Sequence, residues 1–256
     1  MAFVRPKKRL GQHFLKDMEI ARHIADTLDS FPDLPVLEVG PGMGVLTQFL
    51  LEKNRDLTVI ELDEESVAYL NVHFHQLAGR IIADDFLRID LSALFQAPFC
   101  LIGNYPYNIS SQIFFKLLDY KHLIPCCSGM IQKEVAERIA APPGSRTYGI
   151  TSVLLQAWYD VEYLFTVDAH VFDPPPKVQS AVVRLVRNKV EKLGCDEVFF
   201  KKVVKTAFNQ RRKTLRNSLK SLTTSEIDTG LPVFDLRPER LSVSDFVELT
   251  NLIQKN

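Results

Sequence analysis

The 256-residue sequence contains no apolar stretch long enough to cross a bilayer, and its first residues lack the apolar segment of a secretory signal. It has few cysteines, which are Cys100, Cys126, Cys127 and Cys195. No two of them have CxxC spacing, and His73 and His75 would point to different faces of a helix. We therefore expect a cytoplasmic protein with buried, reduced thiols, without disulfides and without a metal site.

Net charge is also lacking, since 31 basic residues balance 31 acidic ones. The charge is nevertheless unevenly placed. Four basic residues lie within positions 5–9 with no acid before Asp17, and a second basic block without acids lies between positions 198 and 222. The two blocks contain Arg5, Lys7, Lys8 and Arg9, then Lys201, Lys202, Lys205, Arg211, Arg212, Lys213, Arg216 and Lys220. One such block is typical of a solvated helix face, whereas two indicate a polyanionic partner.

A glycine-rich turn follows the first apolar strand. The strand spans 36–39, Gly40-Pro41-Gly42-Met43-Gly44 comes next, and an amphipathic helix begins after it. This is the opening of a nucleotide-binding βαβ unit, in which Gly40 and Gly42 allow close approach of the backbone to a ligand. The next strand, 57–60, ends at Glu61, whose carboxylate can accept both ribose hydroxyls. The spacing GxGxG differs from the dinucleotide fingerprint and favours S-adenosylmethionine over NAD.

The third strand, 80–83, runs into a pair of acids at its carboxyl end. Asp85 is our candidate for accepting the adenine amine of the cofactor, with Asp84 as the reserve, although a solvated turn would show the same pair. The glycine turn, Glu61 and this pair all follow successive strands. Ligands of open α/β sheets bind at that edge, so we expect these groups to meet.

The fourth strand, 99–103, delivers Asn104-Tyr105-Pro106-Tyr107 to the same edge. Because Tyr105 precedes a proline, its backbone is extended. The Asn104 amide and the Tyr105 carbonyl can then accept two hydrogen bonds from one exocyclic amine, while Tyr107 stacks on the ring that bears it. A plain turn is the alternative for this tetrapeptide taken alone.

The second half of the chain adds strands at 126–132, 161–167 and 180–186, and Phe172 begins a stiff segment with three prolines. That setting favours Phe172 as a second aromatic opposite Tyr107, although most phenylalanines are core residues. After Arg187 only helical patterns remain. We predict an α/β, Rossmann-like methyltransferase fold with a mostly parallel sheet of seven strands in domain 1–187, and a small helical RNA-binding domain at 188–256.

With these residues assembled, the sequence resembles the ribosomal RNA adenine dimethyltransferases, in particular the small-subunit enzymes linked to kasugamycin sensitivity. The matching stretches span nearly the whole chain in order. They are Gly11-Gln12-His13-Phe14-Leu15, Glu38-Val39-Gly40-Pro41-Gly42-Met43-Gly44, Val59-Ile60-Glu61-Leu62-Asp63, Gly103-Asn104-Tyr105-Pro106-Tyr107-Asn108, Gln132-Lys133-Glu134-Val135, Phe172-Asp173-Pro174-Pro175-Pro176-Lys177-Val178 and Ala207-Phe208-Asn209-Gln210-Arg211-Arg212-Lys213.

The resemblance implies transfer of four methyl groups to two adjacent adenosines in the 3′-terminal hairpin loop of small-subunit rRNA, late in 30S biogenesis. It assigns the cofactor S-adenosylmethionine to His13, Leu15, Gly40, Glu61, Asp85 and Asn104, to which the glycine turn adds Gly42. It assigns the target base to Asn104, Tyr107 and Phe172, beside the Tyr105 carbonyl already named. From the basic block itself we expect rRNA contacts at Arg211, Arg212, Lys213 and Arg216. Two positions depart from the family pattern, since His13 stands where many members have Asn and Tyr105 where many have Leu.

The expected reaction is a direct displacement that needs neither a metal nor a general base. Positioning of the amine by Asn104 and the Tyr105 carbonyl would supply most of the rate. Two alternatives remain open, namely a macrolide-resistance type enzyme that modifies large-subunit rRNA and a non-catalytic RNA-binding assembly factor. We expect a monomer whose partner is small-subunit rRNA within a 30S assembly intermediate, with no membrane contact.

Overall fold

A computed structural model describes residues 4–7, 10–224 and 227–254. Its contacts divide the chain into two compact units. The first comprises the described residues up to Ala136 together with Glu162–Arg187, and the second comprises Glu137–Val161 together with the described residues from Asn188 onward. Residues 137–161 therefore group with the C-terminal part of the chain, whereas the sequence analysis assigned them to the N-terminal domain.

Nine strands lie within the described residues. They are β1 (Phe14–Leu15), β2 (Val36–Val39), β3 (Leu57–Glu61), β4 (Ile81–Ala83), β5 (Cys100–Asn104), β6 (Cys126–Gln132), β7 (Tyr159–Val167), β8 (Phe172–Asp173) and β9 (Ser180–Arg187). Seven of them form one sheet in the order β4-β3-β2-β5-β6-β9-β7. The pairs from β4 to β6 are parallel, and β6 pairs with β9 antiparallel. The mostly parallel sheet of seven strands is confirmed.

Strand β2, which lies inside the main sheet, is buried along its whole length. All four residues of β2 are buried, as expected for a strand that is covered on both faces. In a parallel sheet the carboxyl ends of neighbouring strands lie at one edge. The pairings Val39 with Ile60 and Glu38 with Ile102 therefore bring the ends of β2, β3 and β5 together.

A second, two-stranded sheet was not predicted. β1 pairs antiparallel with β8, so that Phe14 lies opposite Asp173 and Leu15 opposite Phe172. Each strand has only two residues, too short for any alternation in the sequence to reveal. This pairing fixes the segment that precedes α1 against the proline-rich segment before β9.

Ten α-helices occur among the described residues. They are α1 (Met18–Asp26), α2 (Thr47–Glu52), α3 (Glu64–His73), α4 (Leu91–Leu94), α5 (Ser110–Asp119), α6 (Lys133–Ile139), α7 (Ile150–Gln156), α8 (Glu197–Asn209), α9 (Leu215–Ser218) and α10 (Val243–Gln254). Asp17 caps α1 by accepting hydrogen bonds from the backbone N–H groups of Glu19 and Ile20. None of the helices in the described ranges is both long and apolar enough to span a bilayer.

The second unit is organised by aromatic packing between α7, α8 and α10. Trp158 lies edge-on to Phe200, with ring centroids 6.2 Å apart, and Phe208 contacts both Tyr148 and Phe246. Trp158 and Tyr148 are fully buried by these contacts. This apolar packing explains why 137–161 groups with the C-terminal helices.

Candidate active site

A cavity of about 280 Å³ lies in the first unit, at the carboxyl ends of β2, β3 and β5. The segment that leads into α1 supplies part of its wall. Most of the residues that the sequence singled out line this cavity, including His13, Leu15, Gly40, Gly42, Glu61, Asp84, Asp85, Asn104, Tyr105 and Tyr107. The structure thus brings together residues that are almost one hundred positions apart.

The glycine turn closes one side of the cavity. Gly40 and Gly42 have φ values of 68° and 56°, which side-chain-bearing residues rarely adopt. The Gly40 N–H donates to the Ile60 carbonyl at 2.9 Å, which ties the turn to β3. A Cβ at Gly42 would lie 2.9 Å from Cε1 of Phe14, so glycine is also required for packing. The turn therefore presents backbone to the cavity with Phe14 packed closely against it.

Glu61 is held by backbone donors. Its Oε2 accepts from the Gly42 N–H at 3.0 Å and its Oε1 from the Asp63 N–H at 2.9 Å. Burial raises the pKa of Glu61, while these two hydrogen bonds oppose the rise. Each carboxylate oxygen can accept a second bond, so the group keeps acceptor capacity for a ligand.

Glu38 is a cavity residue to which the sequence analysis gave no role. It is 1% exposed, and its Oε2 accepts a hydrogen bond from the Thr47 hydroxyl at 2.7 Å. Burial raises the pKa of Glu38 to about 8. A single acid inside the apolar run 36–39 was the available signal, because a buried strand seldom contains an unpaired charge.

Asn104 is oriented by the chain before α1. Its Nδ2 donates to the His13 carbonyl at 3.1 Å, which leaves Oδ1 as the acceptor for a ligand. The His13 ring stacks on Tyr107, with centroids 5.4 Å apart, and its Nδ1 donates to the Pro174 carbonyl at 2.7 Å. His13 therefore has two structural roles, since its backbone carbonyl positions Asn104 and its ring supports Tyr107.

The two tyrosines of the loop have different environments. Tyr105 is 1% exposed, and its hydroxyl donates to the Ser128 carbonyl at 2.9 Å. The Tyr105 ring covers the paired Gly103 and Gly129, where a Cβ would lie within 3 Å of it. Only the backbone of Tyr105 is thus left for a ligand, in agreement with the expected use of its carbonyl. Burial raises the pKa of Tyr107, whose hydroxyl is hydrogen-bonded to Ser180.

The two acids after β4 both line the cavity. Asp84 is exposed, and its Oδ1 accepts from the Asp85 N–H at 2.6 Å. Asp85 is less exposed and its Oδ1 accepts from the Leu87 N–H at 2.9 Å, which fixes its side chain in the turn. The position of Asp85 is compatible with the predicted contact to an adenine amine.

Phe172 is not among the residues that line the described cavity. Its side chain is 1% exposed and belongs to the hydrophobic core, while its backbone pairs with Leu15. The ring is used in core packing here, and the stacking of Phe172 on a base opposite Tyr107 stays a prediction. Among the described residues, no three His, Cys, Asp or Glu side chains are grouped as ligands for a metal ion.

The predicted RNA contacts of the second unit differ in their availability. Arg212 and Lys213 are exposed. Arg211 donates to the backbone carbonyl of Arg146. Arg216 is engaged with Asp235, its Nη2 lying 2.8 Å from a carboxylate oxygen. Arg212 and Lys213 are thus the better placed of the four for a phosphate.

The basic residues near the N-terminus also differ from expectation. Lys7 forms ion pairs with Asp63 and Glu65 and is not a free cation. Lys8 and Arg9 lie outside the described residues.

Comparisons with known proteins agree with the geometry of this site. The family model described as ribosomal RNA adenine dimethylase matches residues 4–255. The ribosomal RNA small subunit methyltransferase A of Parabacteroides distasonis is 71% identical over 257 residues, which cover 100% of this chain and 97% of that protein. A dimethyladenosine transferase structure from Plasmodium falciparum is similar at a TM-score of 0.80 with 23% identity, covering 95% of this chain and 98% of that one. The 23S rRNA methyltransferase ErmE is similar at a TM-score of 0.68 with 27% identity, covering 94% of this chain and 99% of that one.

Proposed function

The chain belongs to the ribosomal RNA adenine dimethylase family, and from that premise we propose that it dimethylates two adjacent adenosines in the 3′-terminal hairpin loop of small-subunit rRNA. It is an S-adenosylmethionine-dependent rRNA methyltransferase. We place its action on a late 30S assembly intermediate, as a monomer in the cytoplasm. The observation that carries the proposal is the cavity, which is lined both by the predicted cofactor residues and by the Asn104 loop.

The described residues fit S-adenosylmethionine. The glycine turn offers backbone without side chains, and Glu61 retains acceptor sites that suit two ribose hydroxyls. Asp85 lies on the same cavity as a candidate acceptor for the adenine amine. When bound, the cofactor supplies an electrophilic methyl carbon on its sulfonium. Buried Glu61, exposed Asp84 and half-buried Asp85 make this part of the cavity acidic, which favours a cationic ligand.

The chain's own contribution is to hold and orient the adenine amine. Oδ1 of Asn104 is the free end of an amide whose nitrogen is bound to the His13 carbonyl. The buried ring of Tyr105 fixes the backbone beside it. Two acceptors at this point can hold both amine protons, which turns the nitrogen lone pair toward the cofactor. Such positioning accounts for a large share of the rate in a displacement of this kind.

The target base has to leave its stack before it can reach Asn104, which costs a few kcal/mol and less in a loop. The ring of Tyr107 lines the cavity and stacks with the ring of His13. We assign the stacking contact to Tyr107, a contact generally worth about 1–3 kcal/mol per base. Arg212 and Lys213 are assigned to rRNA phosphates, because they are exposed and basic.

A large-subunit substrate is the second candidate, and the likeness to ErmE favours it as the nearer alternative. The identities differ widely, however, at 27% for ErmE and 71% for the small-subunit methyltransferase of Parabacteroides distasonis. A non-catalytic assembly factor would not need Asn104 to be oriented with a free acceptor. We therefore retain the small-subunit reaction as the conclusion.

The test uses radiolabelled S-adenosylmethionine with immature small subunits and, separately, with large subunits. Wild type should label small subunits only, with the label recovered as N(6),N(6)-dimethyladenosine. Asn104→Ala should abolish labelling. Asn71→Ala is the matched control, since Asn71 is an exposed asparagine on α3 whose side chain donates to a carbonyl of its own helix. Label in large subunits would refute the substrate, and cofactor binding without label in either would refute catalysis.

A further inference from the structure

Residues 10–15, which we call the strap, form one wall of the cavity. All six of them line it. Beyond its last residue, Lys16 donates its N–H to the Val171 carbonyl at 2.8 Å, and β1 pairs with β8. In its middle, the His13 carbonyl accepts from Asn104. The strap therefore contacts both the predicted cofactor cavity and the side chain that is proposed to hold the target amine.

The other end of the strap is tied to the body by Lys7. The Lys7 ammonium is hydrogen-bonded to Asp63 and lies 3.1 Å from a carboxylate oxygen of Glu65. The Lys7 backbone is also linked to the strap, because its carbonyl accepts from the Leu10 N–H at 2.9 Å and its N–H donates to the Gln12 side chain at 2.8 Å. Movement of Lys7 would therefore be passed to the first strap residues.

Asp63, the carboxylate that pairs with Lys7, is almost completely buried, with only 2% of it exposed. Its Oδ2 accepts from the Ser66 hydroxyl at 3.0 Å, and its N–H donates to Oε1 of Glu61. Burial by itself would raise the pKa of Asp63, but the hydrogen bonds from Lys7 and Ser66 outweigh it and the pKa is lowered. Removing the cation would leave a buried carboxylate without its partner, which costs far more than loss of a surface pair.

The contacts form a continuous chain from Lys7 through Asp63 to Glu61, the predicted ribose acceptor, and from Lys7 through the strap to Asn104. Each of these links is a hydrogen bond or a short stretch of backbone. A ligand that enters or leaves beside the strap must disturb this arrangement. Four methyl transfers require the demethylated cofactor to be replaced after each one, so its release rate matters for the whole reaction.

We propose that Lys7 and Asp63 are positioning residues that clamp the strap over the cofactor cavity and thereby set the dissociation rate of the cofactor and its product. The inference rests on the proposed function, since it takes S-adenosylmethionine as the ligand of the cavity. Neither residue touches the reacting atoms in this role. Their effect is exerted through the strap and through the carboxylate of Glu61.

The test measures dissociation of S-adenosylhomocysteine by stopped flow, together with amide hydrogen exchange of 10–15 in the ligand-free full chain. Lys7→Ala and Asp63→Asn should each raise the dissociation rate about tenfold, a change that corresponds to about 1.4 kcal/mol. Exchange of the strap amides should accelerate, while the amides of β2 keep their protection. Lys7→Arg should restore both values, because the cation is retained. The single-turnover rate at saturating cofactor should change less than the KM for the cofactor.

Lys53→Ala is the matched control. Lys53 also pairs with two carboxylates, of Asp26 and Asp29, and its side chain is 28% exposed against 25% for Lys7. It lies outside the cavity lining, so its loss should leave dissociation and strap exchange unchanged. Urea unfolding of each variant shows whether faster dissociation comes from loss of the clamp or from a general loss of stability.

Equal dissociation rates and equal strap exchange in Lys7→Ala and Lys53→Ala would overturn the proposal. Failure of the wild-type protein to bind S-adenosylhomocysteine would instead count against the proposed function. In that case hydrogen exchange of the ligand-free variants still decides whether Lys7 holds the strap.

Discussion

Glu38 should make the stability of this protein depend on pH in a way that one substitution can isolate. Its carboxyl is 1% exposed. Burial raises its pKa from 4.5 to about 8, with the Thr47 hydrogen bond opposing the rise and Glu61 adding to it. Between these two pH values the folded protein keeps a proton that the unfolded chain has lost, so the free energy of unfolding falls as pH rises. The stabilisation is complete below the unfolded pKa and is lost as pH passes through the folded one.

The slope of this loss is about 1.4 kcal/mol per pH unit inside the window, since one full proton is involved. Glu38→Gln replaces the protonated acid by a neutral side chain of similar shape that can still accept from Thr47. Urea unfolding of both proteins from about pH 5.5 to pH 9 should show wild type losing stability relative to the variant up to about pH 8, after which the difference stays constant.

The exposed Glu52 provides a control, because Glu52→Gln makes the same change of side chain at the protein surface instead of at a buried site. Its stability curve should remain parallel to that of wild type. Contributions of other titrating groups cancel in the difference between wild type and each variant. If Glu38→Gln also gave a curve parallel to wild type, Glu38 would be ionised in the folded protein and the reasoning from burial would be wrong.

Three further outcomes are expected. Gly129→Ala should lower the free energy of unfolding by about 3 kcal/mol in urea titrations, because the new Cβ would lie 2.2 Å from a backbone oxygen of the neighbouring strand. Gly79→Ala, with nothing within 4 Å of its Cβ, should lose only about 1 kcal/mol from its positive φ, and equal losses would contradict the packing argument. Tyr105→Phe should cost about 1 kcal/mol in the same assay through the lost hydroxyl bond, and no loss would show that this bond is not stabilising. The double change Arg212→Ala and Lys213→Ala should weaken rRNA binding and reduce the slope of log K against log salt by roughly 1 to 2, whereas an unchanged slope would remove both residues from the interface.

Much of the fold could be predicted from local patterns in the sequence. Asp17 begins α1 by accepting two backbone N–H bonds, and Ser242 with Asp245 forms a reciprocal capping arrangement at the start of α10. Short apolar runs that end in a glycine turn or an acid predicted the parallel strands, because parallel strands are buried on both faces. The glycine turn and Glu61 then followed from spacing alone, and the structure places both on the cavity.

Long-range contacts decided the rest. Leu15 pairs with Phe172 across more than one hundred and fifty positions, which puts the Phe172 ring in the core although its proline-rich setting predicted a site residue. Lys7 was expected to bind a polyanion and is instead paired with Asp63. Residues 137–161 join the second unit through aromatic contacts that no local composition reveals.

The sequence by itself therefore determined the sheet, its ligand-binding edge and the residue types that meet there, since each depends on periodicity and spacing along the chain. Only the tertiary structure decided which side chains remain free at that edge. Asn104 keeps a free acceptor because the His13 carbonyl binds its nitrogen, and Glu38 has a raised pKa because its side chain is buried. Burial and the identity of a hydrogen-bond partner are properties of neighbours in space, and those neighbours come from distant parts of the chain.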